Sequence, residues 1–103
     1  MLIIVSSLIS ANDNLIRGIE SDNIGLVNSC IYMVGKYNID KEEIKQSIVK
    51  QFRDKSEINK NLCLDVLYRI GAKEEIWDII LDIKIESRIR KRALMILSEM
   101  IKD

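Results

Sequence analysis

The chain has 103 residues, 48% of them apolar and 31% charged, with four glycines and no proline. That is length for one domain around one core, and so little turn chemistry disfavours a many-stranded fold and favours helices. Sixteen basic and 16 acidic residues cancel, which removes the whole-protein argument for nucleic acid or an anionic membrane, and the absence of histidine removes the commonest general base and zinc ligand.

In chain order, Met1-Leu2-Ile3-Ile4-Val5-Ser6-Ser7-Leu8-Ile9 has no basic leader and falls short of the roughly 20 apolar residues that span a bilayer. It reads as a buried first helix over about Leu2 to Ser10. Asn12-Asp13-Asn14 is expected to break that helix and cap a short second one bearing Leu15, Ile16 and Ile19. After the Ser21-Asp22-Asn23 break, a helix is expected from about Ile24 to Tyr37, with Val27, Cys30, Ile31 and Val34 on one face. Asp40 is expected to cap the next, which runs to about Arg53 through Ile44, Ile48, Val49 and Phe52.

Asp54-Lys55-Ser56 repeats the break. The helix after it, about Glu57 to Ile70, carries Ile58, Leu62, Cys63, Val66, Leu67 and Ile70 inward, and Gly71 suits its left-handed stop. A helix over about Lys73 to Ile83 should bury Ile76, Ile79, Ile80 and Ile83. The last, about Ser87 to Lys102, carries Ile89, Ala93, Leu94, Ile96, Leu97, Met100 and Ile101.

Two features mark an internal repeat. Lys73-Glu74-Glu75-Ile76 duplicates Lys41-Glu42-Glu43-Ile44, 32 positions earlier. Superposing Cys30, Cys63 and Ala93 also aligns Ile31, Leu64 and Leu94, as well as Val34, Leu67 and Leu97. Two helices per period of about 30 residues describe an α-solenoid, in which one unit cannot bury its apolar face alone and neighbours must stack.

The segment Ile89-Arg90-Lys91-Arg92-Ala93-Leu94-Met95-Ile96-Leu97 resembles the first helix of a HEAT-type repeat, with its aliphatic residue, Arg, Ala and Leu in order. The short period is similar to the compact HEAT-like repeats related to phycobilisome lyases. Asp22 to Val34 and Ser56 to Leu67 follow the pattern more loosely, with Val27 and Lys60 standing where Arg90 stands and Cys replacing Ala. The resemblance implies an all-α, right-handed solenoid: about three HEAT-like helix pairs and a closing C-terminal helix, in a single domain over residues 1–103.

Candidate chemistry is sparse. Cys30 and Cys63 occupy equivalent columns, expected about 10 Å apart, the usual interhelical spacing. A disulfide needs Cα atoms within about 7 Å, so both cysteines read as core packing in a reducing, cytoplasmic setting. Glu74, Asp78 and Asp82 recur every fourth residue along one helical stripe, flanked by Trp77, the one tryptophan, and Leu81. With Glu75 they form a candidate acidic contact surface with an aromatic anchor, suited to a basic protein partner. Arg88, Arg90, Lys91 and Arg92 are expected to form internal salt bridges to the preceding acidic helix or, as the alternative site, a basic patch for phosphate or for an acidic partner. Without interleaved aromatics it is poorly equipped for base stacking.

No catalytic group, metal site or cofactor is indicated. The expectation is a non-catalytic protein-binding module, a monomer on its own, with no membrane or nucleic-acid partner. The chain is also similar to small helical bacterial immunity proteins of contact-dependent toxin systems, which implies an antitoxin that blocks a basic, nuclease-like toxin domain. A nucleic-acid-associated adaptor using the basic C-terminal helix is the alternative.

Overall fold

The computed structural model describes residues 12–102, and all its regular structure is helical. The helix expected over Leu2 to Ser10 lies outside those residues. Helix α1 covers residues 12–19, and five more follow: α2 (Ile24–Lys36), α3 (Glu42–Asp54), α4 (Lys60–Arg69), α5 (Lys73–Leu81) and α6 (Ser87–Met100).

The helix boundaries follow from local chemistry. The Asn23 side chain accepts from the Leu26 amide at 3.1 Å, and the Asn59 side chain from the Leu62 amide at 3.0 Å, so α2 and α4 each start on an asparagine cap. Both helices also end alike. Gly71, at φ +71°, donates to the Tyr68 carbonyl while Ala72 donates to Leu67, the paired bonds of a Schellman ending. Asn38, at φ +50°, sits 33 residues earlier in the same role, with Asn38 donating to Gly35 and Ile39 to Val34. Asparagine is the residue after glycine that tolerates this conformation best.

Helices two apart in the chain lie side by side: α2 along α4, α4 along α6, and α3 along α5. Helix α4 also touches α3 and α5, and α5 packs most extensively on α6. One core cluster runs from Ile19 through Val27, Ile31, Ile44, Leu64 and Ile76 to Leu97. Gly35 lets α2 approach α4 closely, because a Cβ there would stand 2.9 Å from Val66 Cγ2. Polar bonds tie the layers together. Ser47 Oγ donates to Glu20 Oε2 at 2.9 Å, and Lys55 Nζ donates to the Ser21 carbonyl at 2.6 Å.

Four local expectations are corrected. Residues 12–14, expected to cap the second helix, lie within α1 itself, where their mild helix aversion is overridden by the burial that Leu15, Ile16 and Ile19 gain. Asp40 does not cap α3, which starts after Lys41 without a side-chain cap bond, and its carboxylate instead meets Lys45 Nζ at 2.8 Å. Helix α4 begins three residues later than expected, because residues 55–58 form a turn that tucks Ile58 into the core. Ile83 is 84% exposed, since α5 ends at Leu81; the chain turns there and buries Ile85 in its place.

Cys30 and Cys63 are both free and buried in the core cluster. Burial pushes the Cys63 thiol up to about 12, so it stays protonated and inert at neutral pH. Among the described residues, no group of three His, Cys, Asp or Glu side chains could hold a metal ion. No helix among them is long and apolar enough to cross a membrane.

Candidate functional site

Helix α5 starts directly behind the Schellman turn at Gly71, with Glu74 and Glu75 in its first turn, where carboxylates suit the positive end of the helix dipole. Ile76 and Ile79 anchor it in the core, fully buried. This anchoring decides which of its acidic residues reach solvent.

Glu75 does not. It is 2% exposed and turned toward α3, where its Oε2 accepts from Gln46 Nε2 at 3.3 Å. Gln46 also donates to Glu42 Oε1 at 3.1 Å, so one amide bridges two carboxyls. Burial, and then the nearby Glu42 charge, push the Glu75 carboxyl above its ordinary range, whereas the Gln46 and Lys45 contacts hold Glu42 below its own. Asp82 is the C-cap of α5, largely covered, and accepts from Arg53 Nε at 2.8 Å and from the Lys84 amide at 3.0 Å. Those bonds, the Lys84 amide first, lower its pKa. Asp82 is therefore a brace between α3 and α5.

What remains on the outer face of α5 is Glu74 and Asp78, both exposed and free of ion pairs among the described residues. Trp77 at 42% and Leu81 at 69% exposure share that face. Lys45 stands in the Trp77 column of α3 and is spent on ion pairs with Asp40 at 2.8 Å and Glu42 at 3.4 Å. The tryptophan is thus peculiar to the second copy of the motif.

The basic run divides as well. Arg90 Nε donates to the Ile80 carbonyl at 2.7 Å, closing the last turn of α5, so Arg90 is structural. Arg88, Lys91 and Arg92 are exposed, and none is within ion-pair distance of a carboxylate among the described residues. Bridges from this run to α5 carboxylates, the simplest expectation for facing helices of opposite charge, do not form there. The one bridge at the α6 start joins Lys60 Nζ to Glu86 at 3.7 Å.

Glu75 supplies a pH-dependent test. With a raised pKa, the folded chain holds this proton to higher pH than the unfolded chain does. Stability therefore rises as pH falls through the folded-state pKa of Glu75 and levels off below the unfolded value. Glu75→Gln removes the charge while keeping an acceptor for Gln46. It should raise stability at pH 7 on the order of 1 kcal/mol, a few degrees in Tm, with the gain shrinking toward acid pH. Thermal melts of both forms from pH 4 to 8 (about this window, set by ordinary carboxyl values) measure it; a gain independent of pH would contradict the assignment.

The fold and the site together define an all-α protein with an acidic, aromatic helix face. No protein-family model, curated protein or solved structure matches the chain.

Proposed function

We propose that this chain is a non-catalytic protein-binding module: a HEAT-like, right-handed solenoid that presents α5 to a basic partner protein. The observation that carries the reading is the outer face of α5. Trp77 and Leu81 are exposed there between Glu74 and Asp78, two carboxylates with no internal ion pair among the described residues. An exposed tryptophan flanked by two free carboxylates, with Lys73 one turn before it, is the composition of an interface hot spot with electrostatic steering. The alternation of packing, α2 with α4 with α6 and α3 with α5, supports the solenoid part, as do the matched helix endings at Asn38 and Gly71.

The finer reading is a bacterial immunity protein or antitoxin, working in the cytoplasm, whose carboxylates stand in for nucleic-acid phosphate on a toxin's basic surface. The test uses the protein as bait in its native extract, at moderate salt, with and without nuclease. Recovery of one basic protein at near-equal stoichiometry, surviving nuclease, is the expected result. The triple variant Glu74→Lys, Trp77→Ala, Asp78→Lys should then weaken capture by more than about a hundredfold, the loss of roughly two interface anchors, with unchanged helicity. Recovery only of nucleic acid, lost on nuclease treatment, would sink the reading and shift attention to Arg88, Lys91 and Arg92.

A further inference from the structure

A groove of about 850 Å³ lies between the start of α4 and the flank of α6, away from the α5 face. Its apolar lining is Met95, 70% exposed, the half-buried Ile96, and the largely buried Ile58 and Ile89. Its cations are Lys60, Arg88, Lys91 and Arg92, against two anions, Glu86 and Glu99. Glu86 is engaged with Lys60, which leaves Arg88, Lys91 and Arg92 against Glu99 alone, an excess of positive charge beside an apolar strip.

We propose that this groove docks an amphipathic helix with acidic flanks, supplied by a partner protein. The charge selects the occupant. A helix that sets aliphatic residues every three to four positions onto the Ile58–Met95 strip brings its flanking carboxylates to the three free cations. The groove volume falls within the roughly 300–1,000 Å³ of specific binding clefts, room for the side chains of about two helical turns. Nucleic acid fits less well. Its phosphates would satisfy the cations but leave the apolar strip uncovered, no aromatic residue lines the groove for base stacking, and Glu86 and Glu99 would repel the backbone. Because the groove shares no residue with Glu74, Trp77 and Asp78, it stands or falls independently of the α5 reading.

The probe is a labelled, designed helical peptide of about four turns, leucine along one stripe and glutamate on both flanks. Its controls are the same peptide with every glutamate replaced by lysine, and a labelled duplex DNA. Saturable binding of the acidic peptide alone is expected, with amide NMR shifts of the wild-type protein centred on Ile58, Ile89 and Ile96. Arg92→Glu together with Met95→Glu, both at exposed positions, should weaken it at least about tenfold, 1.4 kcal/mol, whereas Trp77→Ala leaves it unchanged. No saturable binding, equal binding of the lysine peptide, or an affinity untouched by the double variant overturns the proposal. Preferential DNA binding with a steep salt dependence overturns it in favour of nucleic acid. Concentration-dependent sedimentation of the free protein, abolished by the double variant, overturns it in favour of a second copy of the chain.

Discussion

Phe52→Ala should remove about 3–5 kcal/mol of stability, from a total of about 5–15 kcal/mol for a domain of this size. Phe52 is the only phenylalanine and, among the described residues, the largest fully buried side chain, at the last turn of α3. Its ring also carries the Lys60 ammonium 5.6 Å from the centroid, at the start of α4. Truncation to alanine loses the transfer free energy of the ring and leaves a cavity that the surrounding core closes only in part. Phe52→Leu keeps most of the volume and should cost about 1 kcal/mol. Urea titration of both variants reads the effect as a drop in midpoint at constant slope. A loss under about 1 kcal/mol for the alanine variant would place the ring outside the core.

Gly35→Ala should also destabilise, although alanine is the better helix former by about 1 kcal/mol. The added methyl would meet Val66 Cγ2 at 2.9 Å, with Val66 Cβ and Cγ1 at 3.5 Å, so α2 and α4 must separate or Val66 must move. Overpacking of this kind costs about 1–3 kcal/mol, enough to outweigh the propensity gain. Val66→Ala removes the obstacle. In that background the same Gly35→Ala change should become neutral or stabilising, a coupling of about 1–3 kcal/mol between the two sites. Additive effects in the double-mutant cycle would show that the helices do not meet at Gly35.

The helical character was legible in the sequence because it is a local property. Apolar residues at helical spacing placed Ile44, Ile48, Cys63, Leu67, Ile76, Ala93 and Leu97 inward, and all seven are buried. Gly71 announced its own turn. Asn38 did not, although it makes the same turn, because asparagine serves many local conformations and only the backbone bonds to Gly35 and Val34 reveal which one it adopts.

Which charges are free was not legible. A stripe such as Glu74, Asp78 and Asp82 follows from helical geometry alone, and Glu75 reads from its neighbours as one more surface acid. Both the Gln46–Glu75 bond and the Arg53–Asp82 bridge span 29 residues, joining α3 to α5, and no periodicity within α5 contains them. The same holds for Arg90, which a basic run presents as one of four equals until the carbonyl of Ile80 takes it up. The sequence by itself determined that the described residues are helical, which faces are apolar, and that α4 stops at Gly71. Only the tertiary structure decided that Glu75 and Asp82 brace helices while Glu74, Trp77 and Asp78 face outward. It also placed Arg88, Lys91 and Arg92 around an apolar groove. The reason is physical: backbone geometry assigns a residue to a face, but the helix packed against that face assigns its partners.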